Sequence, residues 1–281
     1  MFDHKKDIHR IFESCFTDRD YYTVLSDFFE MSAISIRNAV NLGKSREVYE
    51  QRYKQIISKY SQEQFKSFTT ALGLLITDIQ KSMDDGSFAD WCGEIYMDSH
   101  TSNARMGQFF TPYNVSRMMA QVSIQEDVIS QKLDGNPDGV LPIYEPTVGA
   151  GGLIIAAVER LTQLHVNYAY NVFVDCGDID ARCVHMTYLV LSLLGVPAVV
   201  RKGDALRYQY TEAWFTPAYI FNCAHFNKEI GDGSYPYTPV VVKQIAQPKS
   251  TPIQAEKIER QAEAIPTPKV DKHGQYVLNL F

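Results

Sequence analysis

No proline occurs in the first 111 residues, although the chain of 281 residues contains 12 prolines and the first of them is Pro112. Proline is excluded from helix interiors, because it has no backbone N–H and its ring clashes with the preceding turn. The first part of the chain can therefore be almost entirely helical, and the remainder cannot. We expect a helical N-terminal domain at residues 1–100, a second domain at 101–246 and an extended tail at 247–281.

Other absences restrict the class of protein. The five cysteines form no Cys-x-x-Cys pair, which argues against a disulfide framework and a structural zinc site, and we predict no metal. No apolar run approaches the ~20 residues that span a bilayer. The charged N-terminus has no signal-peptide core, so we expect a cytoplasmic protein with no membrane partner. The net charge is −6 and no segment is strongly basic, so DNA binding would need a small local patch or a partner.

The spacing of apolar residues changes along the chain. Within residues 1–100 it is helical and predicts four or five helices. A further amphipathic helix is predicted by apolar residues at helical spacing, namely Val115, Met118, Met119 and Val122. Strands are then predicted at residues 140–144, 169–175, 197–201 and 219–222, with helices at 153–164 and 180–194. This alternation predicts an α/β fold with a mostly parallel sheet, which binds ligands at the carboxyl ends of its strands.

The ends of the four predicted strands carry glycine-rich or polar groups. EPTVGAGG (residues 145–152) follows the first strand, Asp178 the second, Asp204 the third, and Asn222 ends the fourth. Glycines let a ligand approach the backbone, and an acid after the second strand commonly holds a ribose. Each group taken alone can also be a helix cap. The turn has neither GxGxxG spacing nor a GKS or GKT string, which favours an adenosyl ligand without a pyrophosphate.

Three strings, in this order, resemble a known family. They are DWCGEIY (residues 90–96), GQFFTP (107–112) and EPTVGAGG (145–152), in which Glu145 replaces the family's usual Asp. The resemblance is to N6-adenine DNA methyltransferases, especially the modification subunits of type I restriction systems, and it covers about residues 91–226. It implies a Rossmann-like S-adenosylmethionine-dependent methyltransferase fold preceded by an all-α N-terminal domain, with S-adenosylmethionine as the cofactor.

The resemblance also implies which residues bind the cofactor. Asp178 matches the acid that binds the ribose, and Asp204 matches the acid near the adenine. Backbone N–H groups and a Thr hydroxyl suit the carboxylate of the methionyl end, and Glu145 suits its ammonium group. Phe109 and Phe110 can pack against the cofactor or belong to the core. The full predicted set is Phe109, Phe110, Thr111, Pro112, Glu145, Thr147, Gly149, Gly151, Asp178, Ile179, Asp204 and Ala205.

The catalytic motif departs from the family. Members have Asn or Asp, two prolines and an aromatic residue, whereas this chain has NCAHF at residues 222–226. The resemblance implies that Asn222 and the Cys223 carbonyl accept hydrogen bonds from the adenine amino group. His225 or Phe226 then stacks on the flipped-out base.

Two functions from different classes are compatible with this motif. The first is S-adenosylmethionine-dependent methylation of adenine N6 in DNA, which requires the Asn222 side chain to face the cofactor pocket. The second is a catalytically impaired homologue that binds cofactor or partner proteins in DNA modification or anti-restriction. Methylation of RNA or of a protein amide is a third, because the family's motif type serves those reactions too.

Only 55 residues follow Phe226, which leaves no room for a recognition domain. Sequence specificity would then come from the helical domain or from a partner, such as a specificity subunit or a second copy of the chain. The tail ends in QYVLNLF (residues 275–281), which resembles the peptide that docks bacterial replication proteins on the sliding clamp. A final strand or helical turn that packs on the core is the alternative for this peptide.

Overall fold

The computed structural model describes residues 3–40, 45–98, 109–135 and 139–222. The chain divides into two compact units, Met1–Tyr237 and Thr238–Phe281. The second unit lies wholly outside the described residues, as does the whole predicted tail at 247–281 with its clamp-like peptide. The predicted site residues His225 and Phe226 also lie outside them.

Five helices form the first part of the described chain: α1 (Lys5–Cys15), α2 (Tyr21–Val40), α3 (Ser45–Ile57), α4 (Gln62–Asp85) and α5 (Trp91–Met97). The start of α4 is fixed by a capping box between Ser61 and Gln64, and its end by Gly86 in a left-handed conformation. Aromatic rings fill the centre, where Phe12 lies 5.1 Å from Phe28 and 6.1 Å from Phe68. The predicted all-α N-terminal region is therefore confirmed.

The second part alternates helices and strands. Its elements are α6 (Tyr113–Ser123), α7 (Glu126–Gly135), β1 (Leu141–Glu145), α8 (Gly152–Gln163), α9 (Tyr168–Asn171), β2 (Val172–Asp178), α10 (Ala181–Leu193), β3 (Ala198–Asp204), β4 (Gln209–Phe215) and α11 (Pro217–Asn222). The described sheet has the order β1-β2-β3-β4. The first three strands are parallel, whereas β4 is antiparallel to β3. The α/β class is confirmed.

The second predicted strand is offset and the fourth is wrong. The second begins at Val172 rather than residue 169, because residues 168–171 form α9. Residues 219–222, predicted as the fourth strand, lie in α11, and the fourth strand is β4. Pro217 is the first residue of α11, a position where its fixed φ favours a helix. The Thr216 hydroxyl also accepts a hydrogen bond from the backbone N–H of Tyr219 at 3.4 Å, which is a helix-capping contact.

The helix α6 is turned relative to its apolar pattern. Its buried residues are Ser116 and Ala120, which pack it against α8. The predicted apolar stripe is exposed, and it consists of Val115, Met118, Met119 and Val122. The apolar spacing therefore predicts the helix correctly but not the face that it buries.

The helical region packs directly on the sheet region. Helix α2 packs against α10, and the buried Arg37 donates from Nη1 to the Ala213 carbonyl oxygen of β4 at 3.0 Å. The Arg37 guanidinium lies 4.1 Å from the ring of Tyr49 and 4.7 Å from that of Trp214. The boundary at residue 100 stays a prediction. No helix in the described ranges is long and apolar enough to cross a membrane.

Candidate cofactor site

The glycine-rich turn lies between the end of β1 and the start of α8. Gly149 and Gly151 have φ angles of 57° and 97°, a region that residues with a Cβ rarely adopt. Backbone bonds hold the turn, since the N–H of Val148 donates to the Gly177 carbonyl at 2.9 Å and that of Gly151 to the Val148 carbonyl at 3.0 Å. Gly151, at the N-cap of α8, has no side-chain capping bond. The first N–H groups of α8 are therefore suited to bind an anionic ligand.

The peptide groups on both sides of Gly149 are held by neighbouring elements. The N–H of Gly149 donates to Asp178 Oδ2 at 3.0 Å, and the hydroxyl of Thr187 donates to the Gly149 carbonyl at 2.8 Å. Asp178 Oδ1 accepts the N–H of Asp180 at 2.9 Å. Each carboxylate oxygen retains a second lone pair, so Asp178 can hold the turn and accept hydrogen bonds from ribose hydroxyls.

Thr187 was not among the residues predicted for the site. It is fully buried on α10, whose other buried residues are mostly apolar. A buried hydroxyl needs a partner, so a threonine among the apolar residues of the helix that follows the Asp178 turn is the one signal that could have indicated it.

The two adjacent phenylalanines have different environments. Phe110 packs on the core with its ring 5.3 Å from that of Tyr96, and its Cδ1 lies 3.1 Å from where a Cβ on Gly149 would stand. Phe109 is 71% exposed. Phe110 thus limits Gly149 to glycine, whereas Phe109 can pack against a ligand. Thr111 and Pro112, both exposed, lead into α6, and Pro112 is its N-cap.

Glu145 ends β1 and turns back on the loop. Its Oε1 accepts hydrogen bonds from the Thr147 N–H at 3.0 Å and from the Thr147 hydroxyl at 3.1 Å. The Thr147 hydroxyl therefore donates its hydrogen bond to Glu145. A carboxylate at this place can still receive an ammonium group through its other oxygen.

The ends of β2 and β3 lie side by side. Asp178 pairs with Lys202 in the parallel register, two residues before Asp204. Asp204 Oδ1 accepts the backbone N–H groups of Leu206 at 3.0 Å and Arg207 at 3.1 Å, and Ala205 lies within that turn. Ile179, next to Asp178, is 70% exposed. Ile179 and Ala205 therefore offer apolar surface at the edge of the sheet where the parallel strands end, beside the glycine-rich turn.

Asn222 lies at the opposite edge of the sheet, where the parallel strands begin. Its Nδ2 donates to the Ala169 carbonyl at 3.2 Å, and Ala169 precedes β2, whose carboxyl end is Asp178. The seven residues of β2 separate the two edges by ~20 Å. The cause is the direction of β4, which starts opposite Asp204 and ends opposite Val199. The chain is thereby returned to the amino edge before α11 begins.

Several ionisable side chains near the turn are buried. Asp175 and Arg201 form a buried bidentate pair, with Nε–Oδ1 at 2.6 Å and Nη2–Oδ2 at 2.9 Å. Burial raises the pKa of the Cys176 and Cys183 thiols, which argues against a thiolate nucleophile at either. Within the described ranges, no group of three His, Cys, Asp or Glu side chains could hold a metal ion.

The model of a known family, described as N-6 DNA Methylase, matches residues 88–245, more than half of the chain. The chain belongs to the N-6 DNA methylase family. The match confirms the predicted resemblance, and the structure has the α/β sheet and N-terminal helices expected for it.

Two solved structures are similar to this chain. One is a putative class I S-adenosylmethionine-dependent methyltransferase from Listeria monocytogenes, at 13% identity and a TM-score of 0.32, covering 72% of this chain and 54% of that one. The other is a type I restriction-modification methyltransferase subunit from Streptococcus thermophilus, at 13% identity and a TM-score of 0.33, covering 73% and 58%. The chain thus spans little more than half the length of either. No curated protein matches it.

The structure brings most of the predicted cofactor residues to one edge of the sheet. The Asp178 carboxylate accepts the N–H of Gly149, and Gly151 closes the same turn by donating to Val148, with Phe110 on the turn. Glu145, Thr147, Ile179, Asp204 and Ala205 belong to the same strand ends. Asn222 does not join them in this structure.

Proposed function

We propose that this chain binds S-adenosylmethionine at the edge formed by the glycine-rich turn, Asp178 and the start of α8. The observation that carries the proposal is the Gly149 peptide, which is clamped by Asp178 on one side and Thr187 on the other. The clamp keeps the backbone N–H groups at the start of α8 available, and these groups suit a carboxylate. Bound there, the cofactor would supply an electrophilic methyl group.

The residues at this edge fit an adenosyl ligand. Asp178 has lone pairs for a ribose diol, and the exposed Ile179 offers an apolar surface to a flat base. Asp204 lies beside that surface with one oxygen engaged by its own turn. Glu145 suits the ammonium group of the methionyl end, and Phe109 has an exposed ring that can cover it. We propose that four further residues also contact the cofactor, namely Thr111, Pro112, Thr147 and Ala205.

Methylation of adenine N6 in DNA is the first use of such a site, and family membership supports it. In that use Asn222 would accept hydrogen bonds from the adenine amino group, and His225 or Phe226 would stack on the base. Helix α11 would then have to leave its position, because Asn222 lies at the edge of the sheet opposite the glycine-rich turn. That movement would break the packing of the buried Tyr219, whose ring lies 5.7 Å from Phe173 and 5.4 Å from Phe215.

Cofactor binding without methyl transfer is the second use, and the contact of Asn222 with Ala169 supports it for the isolated chain. The chain would then act as a cofactor- or partner-binding subunit in DNA modification or anti-restriction. We propose the following partners: DNA, a specificity subunit or a second copy of this chain, and a sliding clamp that binds residues 275–281. A cytoplasmic location and the division at residues 100 and 246 belong to the same proposal.

The test combines calorimetric titration of S-adenosylmethionine with transfer of a labelled methyl group to mixed-sequence DNA. The variants are Asp178→Ala and Asn222→Ala. Asn171→Ala is the matched control, because its Nδ2 also donates to a backbone carbonyl, that of Gly139, at 2.8 Å. Transfer that Asn222→Ala abolishes with binding retained, and that Asn171→Ala leaves intact, supports the first use. Binding without transfer supports the second, and absence of binding contradicts both.

A further inference from the structure

A buried carboxylate stands on the inner side of the glycine-rich turn. Asp90 is 5% exposed and precedes α5, where its Oδ1 accepts the backbone N–H of Gly93 at 3.0 Å. It thus caps α5, a helix of the N-terminal region. Its second oxygen, Oδ2, is directed towards a different element.

Two glycines accommodate Asp90 Oδ2. A Cβ on Gly93 would lie 2.2 Å from this oxygen, and a Cβ on Gly152 would lie 3.1 Å from it. Gly152 is the first residue of α8 and closes the glycine-rich turn. The carboxylate is therefore wedged between the start of α5 and the start of α8, and it fits there because neither residue carries a side chain.

A third element reaches the same place. The Ser116 hydroxyl of α6 lies 3.7 Å from the position of a Cβ on Gly152. It is fully buried and has no hydrogen-bond partner among the described residues. Since α8 has no side-chain cap of its own, the polar groups at its inner side come from other helices, Asp90 before α5 and Ser116 on α6.

We propose that Asp90 is a positioning residue that sets the start of α8, and hence the glycine-rich turn, against the helical region. It acts through its size and its bond to Gly93, so an amide of the same shape can replace it. The effect on cofactor binding rests on the proposed function, whereas the effect on the turn does not. A residue that only caps α5 would have no influence on residues 146–155.

Hydrogen exchange of the full chain, without ligand, tests the effect on the turn. In Asp90→Ala we expect the amides of residues 146–155 to exchange about tenfold faster, with residues 62–72 of α4 unchanged. Asp90→Asn should exchange no faster than the wild type, because its amide oxygen can still accept the Gly93 N–H. Asp20→Ala is the matched control, since Asp20 also caps a helix by accepting the Thr23 N–H at 2.9 Å.

Gly152→Ala presses on the same contact from the other side. It should speed exchange in residues 146–155 when Asp90 is present and have a much smaller effect in Asp90→Ala, because the added methyl group then has room. Equal effects of Gly152→Ala in the two backgrounds would overturn the proposal. So would unchanged exchange at 146–155 in Asp90→Ala, or loss of protection over the whole chain.

Titration of S-adenosylmethionine then tests the functional consequence. We expect affinity to fall about tenfold in Asp90→Ala, because a displaced turn misplaces the groups that bind the ligand. Asp90→Asn and Asp20→Ala should bind like the wild type. If the wild type does not bind, the proposed function fails, and the exchange data still decide the role of Asp90. Wild-type affinity in Asp90→Ala would contradict positioning for binding.

Discussion

Replacing Asp90 by asparagine should stabilise the fold at neutral and alkaline pH. Burial raises the pKa of Asp90 from 3.8 to about 6, against the opposing effect of the Gly93 N–H, and the charge of Glu94 adds to the increase. A group with a raised folded-state pKa is harder to ionise in the folded protein than in the unfolded chain. Its contribution to stability is therefore complete below pH 3.8 and is lost as the pH rises through about 6.

The magnitude follows from the shift in pKa. A change of about two units costs the ionised wild type roughly 3 kcal/mol of unfolding free energy at pH 8 and about half of that at pH 5. Asparagine does not ionise, and its amide oxygen can still accept the Gly93 N–H. Asp90→Asn should therefore exceed the wild type by roughly 3 kcal/mol at pH 8, with a smaller gain at pH 5.

Urea unfolding at pH 5, 6, 7 and 8 measures this difference. Burial raises the pKa of Cys92 and of Tyr113, so both stay neutral between pH 5 and 8, and the charge of Glu94 is part of the cost that Asp90→Asn removes. Asp20→Asn, the exposed counterpart, should be destabilising by about 1 kcal/mol or less. A gain at Asp90→Asn that does not grow with pH, or a loss of stability at pH 8, would refute a buried and costly carboxylate.

Three further changes test the environment of the turn. Thr187→Val should cost about 1–2 kcal/mol of stability in urea unfolding and weaken S-adenosylmethionine binding, whereas Thr187→Ser should do neither to the same degree, because it keeps the donor to Gly149. Gly149→Ala should abolish ligand binding in calorimetry, because its φ is 57° and the new methyl group would meet Phe110. Arg201→Met should cost about 3–5 kcal/mol in unfolding, because Asp175 is left buried and unpaired; unchanged stability would show that the pair is not buried in solution.

Local signals in the sequence predicted the arrangement of the glycine-rich turn and the strand ends beside it. The turn at residues 145–152 joins a strand to a helix, and Asp178 ends the next strand, as its spacing indicates. Such features depend on neighbouring residues and on the strict succession of strand, turn and helix, both of which can be read from one chain.

The errors involve contacts between distant segments. The apolar run at residues 219–222 has no local feature that separates a strand from a buried helical turn, and its outcome depends on the β3–β4 hairpin. The face that α6 buries is set by the close approach of α8 rather than by its apolar stripe. Thr187 and Asp90 act on the turn from 38 and 62 positions away from Gly149 and Gly152 (187 − 149 and 152 − 90), so periodicity could not indicate them.

The most direct test of the cofactor site is calorimetric titration of S-adenosylmethionine into the full chain and into Asp178→Ala. Asp178 holds Gly149 and supplies the lone pairs assigned to the ribose, so its loss should remove both functions. We predict binding at one site per chain in the wild type and no measurable binding in Asp178→Ala. No binding by the wild type, or equal affinity in the two proteins, would contradict the proposed site.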